Sequence, residues 1–155
     1  MSAKVDIEFT VNGAVRQVSV PADMSALDML RDQLDLKGAK EACGEGECGA
    51  CTIIVDDASV CSCLMYAADC DGRTIETIEG VQTVDGLDPI QQAFVDQGAV
   101  QCGYCTPGMV MQAKHMLAKN PNPTEGDIQR GLEGNVCRCT GYRKIFDAVA
   151  EAARS

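Results

Sequence analysis

Gln101-Cys102-Gly103-Tyr104-Cys105-Thr106-Pro107-Gly108 packs two cysteines, two glycines and a helix-start signal into eight residues. Thr106 followed by Pro107 reads as an N-cap and first helical position, so the Cys-x-x-Cys pair falls where a loop becomes a helix. Two thiolates rarely complete a metal site. The pair therefore needs two further ligands, and the only cysteines beyond it are Cys137 and Cys139.

Outward from this stretch the C-terminal half reads as helical. Asp88-Pro89 opens a helix that closes near Gly98, and Thr106-Pro107 opens another carrying Val110, Ala113, Met116 and Leu117. Asn120-Pro121-Asn122-Pro123 breaks the chain. Thr124 with Asp127 starts a third helix through Leu132, and a fourth spans Tyr142 to Ala153 with Ile145, Phe146, Val149 and Ala152 on its buried side. Four short helices predict a compact bundle. Between Glu79 and Leu87 the periodicity is lost and Gly80 and Gly86 appear, so the boundary is expected there, giving domains 1–79 and 80–155.

The N-terminal half alternates. Val5, Ile7, Phe9 and Val11 share one face, Asn12-Gly13 makes a hairpin turn, and Val15, Val18 and Val20 follow on the returning strand. Ser25 with Asp28 resembles a capping box, and Leu27, Met29, Leu30 and Leu34 predict a short helix ending before Gly38. Lys40 to Cys51 has no period and is a loop wrapped round something. Strands are predicted at Thr52–Val55, Ser59–Cys63 and Thr74–Ile78, with turns at Asp56-Asp57 and Asp71-Gly72. Five strands and one helix fit a β-grasp-like domain, making the chain α+β, with a β-grasp domain followed by a four-helix bundle.

The net charge of -10, from 13 basic and 23 acidic residues, argues against nucleic acid, whose phosphates it would repel. With 4% aromatic residues and no Trp, no base-stacking platform is available either. The N-terminus shows no basic region followed by an apolar run, no twin-arginine pair is present, and no segment reaches membrane length. A reducing cytoplasm is the expected compartment, and there ten cysteines read as metal ligands rather than disulfides.

Cys43-x4-Cys48-x2-Cys51, followed after eleven residues by Cys63, is the plant-type ferredoxin arrangement of a 2Fe-2S cluster. The glycines at 44, 46 and 49 let the backbone pass close to inorganic sulfide and point N–H groups at negative sulfur. Zinc sites usually pair two short knuckles instead of one glycine-lined loop and a remote fourth ligand. The same loop contains a literal Gly-x-Gly-x-x-Gly. No strand precedes it and no helix follows, and Glu45 and Glu47 would repel a pyrophosphate, so it is a false dinucleotide match. Cys61 and Cys63 lie at strand spacing and would face the same way, so either could be the fourth ligand by geometry. The eleven-residue gap favours Cys63, leaving Cys61 and Cys70 as small buried residues.

The second set, Cys102-x2-Cys105 with Cys137-x-Cys139, has a one-residue gap uncommon in ferredoxins and zinc ribbons. Together with Glu41-Ala-Cys-Gly-Glu-Gly-Glu-Cys-Gly-Ala-Cys-Thr52, Ser62-Cys-Leu64, Gln101–Gly108 and Gly134-Asn-Val-Cys-Arg-Cys-Thr-Gly-Tyr142, it makes the chain resemble the small iron-sulfur subunit of the molybdenum hydroxylases, the xanthine oxidase and aldehyde oxidoreductase family. The resemblance implies two 2Fe-2S clusters, on Cys43, Cys48, Cys51 and Cys63 and on Cys102, Cys105, Cys137 and Cys139. It implies electron transfer from a molybdenum-pterin centre on a large subunit, through the helical-domain cluster and then the ferredoxin-domain cluster, to FAD on a medium subunit, within a dimer of heterotrimers. Gln101 takes the position of the side chain that hydrogen-bonds the pterin, and Cys139 that of the ligand beside its amino group. A Gln amide offers the donor and acceptor a pterin edge needs, although spacing alone makes Gln101 a solvated helix-end residue.

Other residues have plainer readings. His115 falls on the polar side of its helix and reads as a surface residue. Arg138, between two ligands, either offsets cluster charge or lies at the surface. Glu41, Glu45 and Glu47 either lower the first cluster's potential or form a solvated acidic face. At 155 residues there is no room for molybdenum or FAD domains, which are expected on separate chains. A free-standing two-cluster ferredoxin is the alternative function, opposed by the pterin-contact motif. A colourless zinc-stabilised module is the third.

Overall fold

The computed structural model describes residues 3–155. Strands β1 (Lys4–Val11) and β2 (Ala14–Pro21) pair antiparallel, with Val11 opposite Ala14. Asn12 and Gly13 both take positive φ, +50° and +79°, the turn whose twist matches the two strands. Ile7, Phe9 and Val11 face the core, whereas Val5 and Val15 stay exposed at the hairpin's outer parts.

Ser25 caps the next helix as expected: its hydroxyl accepts the Asp28 N–H at 3.0 Å and donates to the Asp28 carboxylate at 2.7 Å. The helix itself is shorter and less regular than its apolar stripe suggests. One α-turn, α1 (Ala26–Asp28), passes into a π-turn over Met29–Gln33. Leu27, Met29 and Leu30 are all fully buried, and widening the turn brings these adjacent residues onto the sheet together.

Strands β3 (Thr52–Val55), β4 (Ala58–Cys61) and β5 (Thr74–Glu76) complete a five-stranded sheet of order β2-β1-β5-β3-β4. Among the described strands, only β1 and β5 run parallel. Two strands end sooner than expected. β4 stops at Cys61, so Cys63 lies in the following turn, held where the Ser62 N–H and hydroxyl meet the Cys51 carbonyl. β5 stops at Glu76, because Thr77 turns away to exchange hydrogen bonds with Asn12 and Ile78–Gly80 form a 3-10 turn.

The helical half contains α2 (Pro89–Asp96), α3 (Thr106–Lys119), α4 (Glu125–Gly131) and α5 (Arg143–Ala152). Asp88 with Gln91 and Thr124 with Asp127 form complete capping boxes, each worth about 1 kcal/mol. α3 departs from its predicted start by one residue. Cys105, not Thr106, is the N-cap, and it makes no side-chain cap bond. A thiol placed there is left free for other partners.

Two apolar cores result. One joins Ile7, Phe9, Leu27, Leu30, Ile53 and Ile75 under the sheet; the other joins Phe94, Met109, Met111, Ile128, Leu132 and Ile145 among the helices. β3 serves both. Ile53 and Val55 point into the first core and Ile54 into the second, so all four β3 residues are buried, which explains an unbroken apolar run where one-sided burial would alternate.

Candidate metal centres

The ten cysteines are all free thiols, and eight of them gather at two places as two pairs each. At the first, the loop before β3 turns through positive φ at Gly44, Gly46 and Gly49. This brings the Cys43 and Cys48 side chains into hydrogen-bonding reach, and likewise Cys51 and Cys63. The Glu45 N–H donates to Cys43 Sγ at 3.4 Å. That bond, with those from the Cys48 thiol and N–H, lowers the Cys43 thiol to about 6. Backbone donors thus favour a thiolate there. Cys63, by contrast, is pushed up to about 11 by burial and by the Cys51 thiol beside it. Two neighbouring thiols that resist ionisation together are stabilised as thiolates once a cation sits between them.

Cys61 also lies beside Cys51 and Cys63. Its surroundings differ in sign. The Gly46 carbonyl accepts from Cys61 Sγ at 3.5 Å, whereas the Gly46 N–H donates to Cys63. An acceptor suits a protonated thiol and a donor suits a thiolate. Strand spacing could not make this distinction, because the pair does not share a strand. Cys70 is wholly buried in the sheet core.

At the second place Cys105, the N-cap of α3, meets Cys137, and Cys102 meets Cys139. Burial, then the Cys137 thiol, pushes Cys105 up to about 12. Burial also acts upward on Cys137, but bonds from the Thr140 hydroxyl, the Thr140 N–H and the Cys139 N–H leave it below the ordinary thiol value. Cys105 and Cys137 face inward, while Cys102, Cys139 and Gln101 are exposed along one edge. Arg138 is exposed between its two neighbours, as are Glu41, Glu45 and Glu47 at the first site. His115 is half-buried on α3, beside a shallow hollow it shares with Ile54, Asp57 and Glu76.

The two places touch. The Val136 N–H donates to the Cys48 carbonyl at 2.8 Å, and Val136 is bonded directly to Cys137. Buried Asn135 donates its amide to the Gly49 carbonyl at 3.0 Å and to Thr52 Oγ1 at 3.3 Å. The Tyr104 hydroxyl reaches the Glu41 carbonyl. None of Asn135, Thr140 and Tyr142 has a role readable from spacing, although all three lie within three residues of a cysteine in the Gly134–Tyr142 motif. The Asn135 side chain acquires its partners only when the halves meet, whereas Thr140 and Tyr142 find theirs locally, at Cys137 and Asn135.

Among the described residues, no three His, Cys, Asp or Glu side chains converge tightly enough for one metal ion. A two-iron cluster asks for something else, two thiolates per iron, and the paired thiols with their inward N–H groups fit that donor set. Residues 9–80 match the 2Fe-2S iron-sulfur cluster binding domain family, and residues 77–150 match the 2Fe-2S binding domain family. The chain is 47% identical over 149 residues to the nicotinate dehydrogenase small FeS subunit of Eubacterium barkeri, covering 96% of this chain and 95% of that one. The chain belongs to the small iron-sulfur subunits of the molybdenum hydroxylases.

This molybdenum hydroxylase subunit is also 47% identical over 152 residues to the nicotine 6-hydroxylase small subunit of Paenarthrobacter nicotinovorans, over 97% of this chain and 91% of that one. Its fold matches quinoline 2-oxidoreductase from Pseudomonas putida 86 with a TM-score of 0.93 and 42% identity, over 99% of this chain and 98% of that one. Its α+β architecture and its two 2Fe-2S domains are therefore those expected from the motifs. As a molybdenum hydroxylase subunit it is the electron-transfer part of an oxidoreductase, and the free-standing carrier is not favoured. No helix among the described residues is long and apolar enough to cross a membrane.

Proposed function

We propose that this chain conducts electrons between a large molybdenum-pterin subunit and a medium FAD subunit, with Cys43, Cys48, Cys51 and Cys63 holding one 2Fe-2S cluster and Cys102, Cys105, Cys137 and Cys139 the other. Each cluster, when bound, accepts and returns one electron. The observation carrying the reading is the Val136 N–H to Cys48 carbonyl bond, which links a residue of one thiol set to the neighbour of a residue of the other. The exposed edge of Gln101, Cys102 and Cys139 would face the pterin, so that electrons enter at the helical half. Domains 1–79 and 80–155 are the units we assign to the two clusters. We place the complex, a dimer of heterotrimers, in the cytoplasm, where thiols stay reduced.

Co-purification tests the assembly. A large chain with molybdenum and a second with flavin should accompany this one, and isolation as a lone two-cluster protein would count against it. Gln101→Ala tests the entry point. It should leave both clusters' absorption intact but slow reduction of the helical-domain cluster by substrate roughly tenfold, the scale of one lost hydrogen bond near 1.4 kcal/mol. Wild-type rates in stopped-flow would return Gln101 to solvent. Cys61→Ser should leave the visible spectrum unchanged, because Cys61 donates to a carbonyl; disappearance of one cluster's signal would move the fourth ligand to Cys61.

A further inference from the structure

Cys137 lies under a small relay that the ligand set alone does not require. The Thr140 hydroxyl is 3.1 Å from Cys137 Sγ, and the Thr140 N–H donates to the same sulfur at 3.4 Å. A thiolate has no proton to give, so the hydroxyl must be the donor. Its oxygen in turn accepts the Tyr142 N–H at 3.2 Å, which occupies a lone pair and leaves the hydroxyl proton for sulfur. Donation into an oxygen strengthens donation out of it.

Tyr142 holds this arrangement at a cost. Its φ of +70° is unfavourable for a bulky residue. Three contacts keep it there: its hydroxyl accepts the Cys137 N–H at 2.9 Å and donates to the Asn135 carbonyl at 3.4 Å, and its ring stacks on Phe146 with centroids 5.9 Å apart. The strained residue thus places its own N–H under Thr140 while its side chain pins Cys137. Cys43 at the other site receives backbone N–H groups, from Glu45 and Cys48 among others, and no hydroxyl.

We infer that the Thr140 hydroxyl sets the reduction potential of the helical-domain cluster, raising it by a hydrogen bond to the Cys137 sulfur. This rests on Cys137 being a cluster ligand. An added electron makes the thiolate sulfur more negative, so a donor fixed at 3.1 Å stabilises the reduced cluster more than the oxidised one. Thr140 is a positioning residue: it touches a ligand sulfur and transfers nothing. Its effect is to make the cluster beside the exposed edge easier to reduce.

Redox titration of the holoenzyme followed by electron paramagnetic resonance reads both clusters in one sample, so the ferredoxin-domain cluster is an internal reference. Thr140→Val should lower the helical-domain midpoint by the equivalent of about tenfold in electron partition, about 59 mV for a one-electron couple. Thr140→Ser, which keeps the hydroxyl, should restore it, and the ferredoxin-domain midpoint should not move. An unmoved midpoint in Thr140→Val, equal movement of both clusters, or failure of Thr140→Ser to restore the value would each overturn the inference. Thr140→Ala, which adds no bulk, carries the same expectation if the valine does not assemble. Loss of the cluster in both apolar variants with retention in Thr140→Ser would make the hydroxyl an assembly requirement and also overturn it. Cys137→Ser separates this inference from the ligand assignment. If that variant keeps both clusters, the assignment falls; if it loses one and the Thr140→Val midpoint is unmoved, only the present inference falls.

Discussion

Gly108→Ala is expected to destabilise the protein by about 3 kcal/mol, the upper end of the cost of overpacking a tight contact. In an ordinary helix the same change would stabilise by up to about 1 kcal/mol, so the expected sign is reversed. The reason is what the new Cβ would meet. It would overlap the Gly49 carbonyl oxygen and crowd the Ala50 backbone, and both are main chain. Neither can swing aside as a flexible side chain could. Gly49 is itself immobilised: its φ is +67°, its carbonyl accepts from Asn135, and a Cβ there would strike the Gly134 carbonyl and the Asn135 amide. Gly49 and Gly108 are therefore the two bare positions through which the cysteine loops approach each other. Thermal unfolding followed by visible absorption should show the midpoint falling by roughly 6 to 12 °C at this chain length. A higher midpoint in Gly108→Ala would mean the loops are not in contact there. The same variant should weaken the Val136 to Cys48 bond and so slow electron exchange between clusters, which flash reduction can read separately from stability.

Cys137→Ser should remove the helical-domain cluster and leave the ferredoxin-domain one, halving the bound iron. A serine hydroxyl is a far poorer iron ligand than a thiolate, and Cys137 pairs inward with Cys105, with no other cysteine beside that pair except the exposed Cys102 and Cys139. The selective loss follows from the donor sets being drawn from separate stretches, one before and after β3, the other from the start of α3 and the loop before α5. Iron analysis and two resolved paramagnetic signals in the parent, one in the variant, would check it. Retention of both signals would show that Cys137 is not a ligand. Loss of both would show that the ferredoxin-domain cluster depends on the 135–137 segment, through Asn135 and Val136, for its loop geometry.

Much of the fold is legible because its signals are local. Asn12-Gly13 specifies a turn within four residues, Ser25, Asp88 and Thr124 specify helix starts within three, and each appears where its own chemistry predicts. Misplacements occur where a distant partner competes with the local pattern. α1 gives way to a π-turn because Met29 and Leu30 both reach the sheet core, and β5 ends early because Thr77 finds Asn12, sixty-five residues away. α3 starts at Thr106 rather than Pro107, since Cys105 closes the first turn by accepting the Met109 N–H.

The cysteine sites divide in the same way. Spacing along the chain determined which thiols can share a loop and that two sets of four exist, since a Cys-x-x-Cys or a glycine-lined loop converges whatever the rest does. Between Cys61 and Cys63 the eleven-residue gap already favours Cys63, and the tertiary structure adds a difference that spacing does not carry, since Cys61 meets the Gly46 carbonyl and Cys63 the Gly46 N–H. The joining of the two sets likewise depends on packing. Asn135 and Gly49 are eighty-six residues apart, and no local pattern encodes a contact of that length. It forms where the helical half packs on the second face of β3, with α3 carrying Gly108 onto the loop and the segment before α5 bonding Val136 to Cys48. Sequence alone therefore determined the two cysteine sets, and only the packed structure decided that they are connected.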